Sequence, residues 1–330
     1  MWVMVMRCVF KHHVYLCVVS TALMAGLALI TSHTKAYADQ NCGSGRGGGV
    51  VKTIQHNDQP IVCDSRGTRI LSSTSNGRDI NIDMNKGGGS EEAAVTVKDG
   101  ANITILKKIT VTGSKGGGKS GSLPVIKVSN AGKLTLDEEV DVGGATIKKE
   151  IVVDGVGSSV TLKGRLTGFE RVQVKNGGAV TLLKDGVEIK KVEVNNGGAV
   201  TLNGNVTFNN GSEAGIKIEG SGGTANVIGV GRTMTVNGSG SGIQMEGSGT
   251  GKATVMGLKI VGSGGMGVRV QNETGTMELN KVNVSGFTMG VNAQSGTVKI
   301  NGESTITVTN SGTGLWVGGT GNASMMGGKI

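Results

Sequence analysis

Apolar and polar residues alternate over short runs of this chain, and the runs recur at nearly regular intervals. Two near-copies, residues 172–182 and 192–202, each read apolar-x-apolar, then Asn-Gly-Gly, then Ala-Val-Thr-Leu. Alternation with a period of two predicts half-buried β-strands. Asn and Gly accept positive φ, so the Asn-Gly-Gly step predicts a sharp corner between two strands.

Ten strand openings of this kind define the repeat. They begin at Val95, Ile126, Ile151, Val172, Val192, Ile216, Ile243, Val268, Val291 and Leu315. Their mean spacing is about 24 residues, and a period between about 20 and 50 residues is typical of repeat architectures. Each unit holds three short strands, and units run from about 20 to 27 residues.

This pattern predicts an all-β fold, a single right-handed parallel β-helix (a solenoid) with three strands per coil. One coil cannot bury its own apolar edge, whereas stacked coils bury a continuous column and pair each backbone group with the coils above and below. The right hand follows the general preference of parallel crossovers. Helical repeats are excluded because the chain contains 60 glycines.

The core of such a helix must be packed with few aromatic residues, which make up 2% of the chain. Val, Ile and Leu fill most of the predicted inward positions. Six methionines recur 10 to 12 residues apart late in the chain: Met234, Met245, Met256, Met266, Met277 and Met289. We expect them to point inward and fill gaps, although a Met-rich binding stripe is the alternative.

Residues 1–38 have the pattern of an export signal. Arg7 and Lys11 give a basic start, an apolar run follows, and residues 36–38 form an Ala-x-Ala site. Cleavage is expected between Ala38 and Asp39. The alternative is a membrane-spanning anchor, for which the run is near the lower length limit.

Cys42 and Cys63 are the two cysteines that remain after such cleavage. A single pair in an exported chain most often forms a disulfide, which here closes a loop of about 20 residues and contributes about 3 kcal/mol. We therefore expect residues 39–94 to form an N-terminal cap and transition segment, ahead of a continuous repeat over residues 95–330. A metal site is disfavoured because only His56 lies near the two thiols.

Residues 113–120 match the phosphate-loop pattern G-x-x-x-x-G-K-S and include Lys115 and Lys119. A phosphate loop requires a helix that begins at its Lys, and the Gly and Pro that follow oppose a helix. No nucleotide or other cofactor is therefore expected. Lys115 and Lys119 are interpreted instead as part of a solvated loop, residues 113–122, which is a candidate binding loop.

No catalytic residues are predicted. His56 is the only histidine after the signal, and no serine motif accompanies it. The acidic residues Asp137, Glu138 and Glu139 lie in a second candidate binding loop, residues 137–149. Sugar-cleaving β-helix enzymes use acidic and basic clusters on one strand face, so a carbohydrate-active enzyme of the pectin-lyase-like type is an alternative.

The net charge is +9, but the basic residues are scattered along the sequence and form no basic patch interleaved with aromatic residues. Nucleic acid is therefore not an expected partner. Attraction to anionic cell surfaces or glycans is an open alternative.

The signal ending in Ala-Tyr-Ala, followed by Val-x-Val-x-Asn-Gly-Gly and Ala-Val-Thr-Leu coils, resembles the passenger region of type V autotransporters of Gram-negative bacteria. The first residues, from Met4 to Cys17, are particularly similar to Bartonella autotransporter signals. The resemblance implies a β-helix displayed on the cell surface, usually for adhesion. It departs from the family in one respect, because the sequence contains no segment typical of a membrane-spanning β-barrel translocator.

The expected function is an adhesin-type binding module, exported to the cell surface or secreted, whose partner is a host cell surface or extracellular matrix. The chain is expected to be a monomer, and to remain in the periplasm if no barrel is supplied. The repeat stops in mid-coil at Ile330, which predicts a C-terminal truncation. A non-functional fragment of a longer autotransporter gene is therefore a further alternative.

Overall fold

Short β-strands follow one another from Val51 to Lys329 in the computed structural model. The structure describes residues 40–43, 51–73, 77–86, 93–114, 123–309 and 311–330. Helices are absent from these described ranges. They also contain no helical segment that is long and apolar enough to cross a membrane.

The strands, in chain order, are β1 (Val51–Thr53), β2 (Ile61–Cys63), β3 (Gly67–Ser72), β4 (Ile80–Asp83), β5 (Val95–Val97), β6 (Ala101–Ile105), β7 (Ile109–Thr112), β8 (Pro124–Ser129), β9 (Lys133–Leu136), β10 (Val140–Asp141), β11 (Lys148–Asp154), β12 (Ser159–Leu162), β13 (Leu166–Thr167), β14 (Arg171–Lys175), β15 (Ala179–Leu182), β16 (Val187–Ile189), β17 (Lys191–Asn195), β18 (Ala199–Leu202), β19 (Val206–Phe208), β20 (Ile216–Glu219), β21 (Thr224–Val236), β22 (Ser241–Gly247), β23 (Lys252–Gly262), β24 (Met266–Asn280), β25 (Asn283–Ser285), β26 (Met289–Thr307) and β27 (Thr313–Lys329).

Every pairing between these strands is parallel and joins one coil to the next, which confirms the predicted solenoid. It has about nine turns. In the first half each coil has three separate strands, such as β17, β18 and β19. From β21 onward several strands continue around a corner, and β26 by itself is long enough to contribute to all three faces.

The ten predicted strand openings form one unbroken column. Each pairs in register with the next, from Val95 with Ile126 to Val291 with Leu315. Their side chains are buried from Val95 to Val291, and Leu315 packs against the core. Because side chains alternate between the two faces of a strand, this register also turns the intervening polar residues away from the core, although Thr96 and Asn292 are still buried.

The stack begins before Val95. Strand β2 pairs with β5, β3 with β6 and β4 with β7, so Ile61 extends the column by one position. Cys42 and Cys63 form a disulfide at this end, with their Cα atoms 5.3 Å apart, and both are fully buried. The Val62 amide also donates to the Gln40 carbonyl at 2.8 Å.

In the Asn-Gly-Gly corners, the first two residues adopt positive φ and the third lies close to the neighbouring coil. Asn176 and Asn196 have φ of 53° and 48°, and the glycine after each has φ of 80°. The second glycine is needed for space instead. A Cβ at Gly198 would lie 2.9 Å from the Val174 carbonyl oxygen in the preceding coil.

The methionine prediction is only partly correct. Met234, Met245 and Met277 are fully buried and fill the core as expected. Met266 and Met289 are half-buried, and Met256 is exposed. Met256 follows the buried Val255 in β23, so alternation along the strand places it outside, opposite the exposed Ile228.

Replacing Gly198 with Ala should destabilise the solenoid by about 1–3 kcal/mol, because the added methyl overlaps the backbone of the coil below. The midpoint of urea unfolding, followed by circular dichroism, measures the change. Gly222→Ala is the matched control, since a Cβ there meets nothing within 4 Å. Equal midpoints for the two variants would contradict the close approach at Gly198.

Candidate functional site

A cluster of charged side chains surrounds an open groove of about 320 Å³ at the corner where β11, β14 and β17 begin. Its lining consists only of charged residues: Lys148, Lys149, Glu150, Glu170, Arg171, Lys190, Lys191 and Glu213. Five of these are cations and three are carboxylates. The groove therefore carries an excess of positive charge.

The register of the coils brings these residues together. Glu150 pairs with Arg171, and Arg171 with Lys191, across three consecutive coils. The residues just before them are joined in the same way, since the Glu170 amide donates to the Lys149 carbonyl at 2.8 Å. Neighbouring strands are about 4.8 Å apart, so side chains one coil apart lie within ion-pairing reach.

The inner layer of the groove is the ion-paired set Glu150, Arg171, Lys191 and Glu193, and Arg171 is at its centre. Its guanidinium binds the Glu150 carboxylate and lies 3.1 Å from Glu193 Oε2. The Glu150 side chain is only 7% exposed. A carboxylate this buried requires a partner, because removing a charge from water without compensation costs several kcal/mol.

Lys191 links the inner layer to the next coil. Its Nζ lies 3.1 Å from Glu193 Oε1 and 2.8 Å from Glu213 Oε1. Burial alone would lower the pKa of Lys191, but the hydrogen bonds to Glu213 and Glu193 outweigh burial and raise it above its ordinary value. Burial would likewise lower the pKa of Arg171, but the bonds to Glu150 and Glu193 outweigh burial and raise it above its ordinary value. Both residues therefore remain cationic at physiological pH.

The outer layer of the groove, which consists of Lys148, Lys149, Glu170 and Lys190, is more accessible to solvent. Lys190 Nζ lies 3.3 Å from Glu170 Oε1, and both side chains are more than half exposed. Lys149 Nζ donates to the Gly143 carbonyl at 3.0 Å. Neither Lys148 nor Lys149 has an ion-pair partner among the described residues, so these two ammonium groups account for the excess positive charge.

The acidic residues predicted from the sequence do not line this groove. Asp137 pairs with Lys163 at 2.8 Å, and Glu138 is exposed. Glu139 accepts a hydrogen bond from Thr167 Oγ1 at 2.7 Å and pairs with Lys108 at 3.0 Å. These bonds, led by the one from Thr167, hold the pKa of Glu139 below its ordinary value. Asp137 and Glu139 thus tie adjacent coils together.

Other predicted positions lie outside the described residues: Ala38, Asp39, Lys115 and Lys119. The strand before the phosphate-loop-like run is β7, and the described chain resumes at Leu123 and enters β8. Within the described part of the chain, no group of three His, Cys, Asp or Glu side chains is placed to hold a metal ion.

The groove was not predicted from the sequence. A signal for it is nevertheless present in the sequence, because short runs of charged residues directly precede three successive strand openings: Lys148-Lys149-Glu150, Glu170-Arg171 and Lys190-Lys191. These runs indicate a common site only when the strand register shows that they are stacked on one another. Lys148 and Lys149 alone had been included, at the end of the candidate loop 137–149.

Replacing Arg171 with Met should destabilise the solenoid by about 3 kcal/mol, because Glu150 stays buried without its partner. Urea unfolding at neutral pH measures the loss. Lys190→Met removes a cation of the same groove whose pair is exposed, and should change stability by no more than about 0.5 kcal/mol. Similar losses in the two variants would contradict the inner position of Arg171.

Replacing Glu139 with Gln should flatten the acid side of the pH–stability profile. The lowered pKa of Glu139 stabilises the fold above the ordinary glutamate pKa, and this contribution is lost as pH falls through the lowered value. Wild type should therefore lose more stability than E139Q between about pH 5 and pH 2. Glu138→Gln, at the exposed neighbour, should follow the wild-type profile, and an equal flattening there would refute the assignment.

Comparison with known proteins finds no relative of this chain. No family model matches the chain, and no curated protein and no solved structure matches it.

Proposed function

We propose that this chain is the passenger region of an autotransporter of a Gram-negative bacterium, similar to those of Bartonella. It is exported through its N-terminal signal and acts, at the cell surface or after secretion, as an adhesin-type binding module for host cells or extracellular matrix. The observation that supports binding is the charged groove, which extends over three stacked coils without interrupting a strand.

The physical reason is preorganisation. Glu150, Arg171 and Lys191 lie in strands that pair with one another across three coils. Their side chains and that of Glu193 hold one another in place through ion pairs. A ligand that binds such a surface orders few protein groups on binding, which preserves affinity. A monomer is sufficient for this role because one chain provides the whole groove.

The proposal is tested with the full-length chain, purified and fluorescently labelled, on cultured mammalian cells and on immobilised extracellular matrix. Saturable binding that unlabelled protein competes away is the expected result. The same protein unfolded by heat and the unrelated protein albumin are the controls. Binding no greater than that of albumin on both surfaces would refute the proposal.

Two further measurements separate this function from its alternatives. Fractionation of bacteria that express the chain together with a β-barrel translocator should find the chain at the surface or in the medium. A chain confined to the periplasm of these cells would contradict display. Incubation with polyuronides and host glycans, with and without calcium, should leave the polymers intact. Cleavage of any of them would favour the alternative of a carbohydrate-active enzyme.

A further inference from the structure

The outer layer of the groove has an alternating order of charges along the stack. Lys149, Glu170 and Lys190 directly precede the residues that pair across three consecutive coils. The Glu170 amide donates to the Lys149 carbonyl, and the Lys191 amide donates to the Glu170 carbonyl. The order is therefore cation, carboxylate, cation. At the backbone, Lys149 and Lys190 are two strand spacings apart, about 10 Å, and Glu170 lies in the coil between them.

We infer that the groove binds an acidic polysaccharide in which charged and neutral sugars alternate. This inference rests on the proposed binding function and specifies its ligand class. One sugar unit is close in length to one strand spacing, so a polymer lying along the stack presents one sugar to each coil. A carboxylate on every second sugar then meets Lys149 and Lys190, while the neutral sugar between them lies over Glu170.

The chemistry of each groove residue fits this ligand. Ammonium groups make short, charge-assisted hydrogen bonds to carboxylates. Lys149 uses one of its three donors on Gly143, which leaves two, and Lys148 adds a second cation beside it. Carboxylates such as Glu170 and Glu213 accept hydrogen bonds from sugar hydroxyl groups, which are abundant on a neutral sugar.

The groove's own carboxylates disfavour more densely charged polymers. A polymer with an acid on every sugar would place one of them against the exposed carboxylate of Glu170, which already pairs with the nearest cation, Lys190. The same repulsion acts on the closely spaced phosphates of nucleic acid. The groove also offers no aromatic side chain on which a base could stack.

The test measures binding of the full-length chain to five polymers by isothermal titration calorimetry. Hyaluronan is the alternating acidic polysaccharide, polygalacturonate and heparin are densely charged, DNA represents nucleic acid, and dextran is neutral. Hyaluronan should bind at least about tenfold more tightly than each of the others. Equal or tighter binding of polygalacturonate, heparin or DNA would overturn the inference, as would no binding of hyaluronan.

Matched variants locate the site. Lys149→Gln with Lys190→Gln should weaken hyaluronan binding about tenfold, since two charge-assisted contacts are lost. Lys252→Gln with Lys259→Gln makes the same change in net charge at two exposed lysines of β23, outside the groove. An equal loss in both double variants would show diffuse attraction and overturn the site.

Glu170→Gln tests the selectivity directly. Removing this charge should raise the affinity for polygalacturonate about threefold and change that for hyaluronan little. No change for polygalacturonate would contradict the role of Glu170. The cell-binding assay keeps the two proposals distinct: a chain that binds cells but not hyaluronan retains the proposed function and loses this inference, and a chain that binds neither loses both.

Discussion

Parallel hydrogen bonding of each coil to the next, in strict register, is the interaction on which the rest of this protein depends. It places each residue directly beside its equivalent in the neighbouring coil. For apolar residues the consequence is favourable, since the column from Ile61 to Leu315 becomes a continuous core. The same rule restricts the polar surface, where like charges in equivalent positions would repel each other.

The charged groove shows how that restriction is met. Along its outer row the charge alternates from Lys149 to Glu170 to Lys190, so each neighbour is of opposite sign. Where register places the cations Arg171 and Lys191 side by side, Glu193 lies 3.1 Å from each of them. A network needed to offset self-repulsion thereby yields fixed, alternating charges on a rigid surface, which is the property that the proposed ligand would recognise.

Uncharged corners follow the same rule with a different chemistry. Asn196 Nδ2 donates to Asn176 Oδ1 at 3.1 Å, and Ser221 Oγ donates to Asn196 Oδ1 at 2.6 Å. An amide both donates and accepts, so identical residues can be stacked without repulsion. This explains why the most regular corners carry Asn.

The sequence by itself determined the solenoid and the register of its first face. A period of two within strands and a recurring interval between them leave one way to bury every Val, Ile and Leu of the column. It did not show that Ile61 belongs to the column, because the interval to Val95 is longer than those that follow, nor that Met256 is exposed beside the buried Val255. The groove was decided by tertiary structure alone. Lys149, Glu170 and Lys190 are distant in sequence, and only the corner geometry of three stacked coils makes them neighbours.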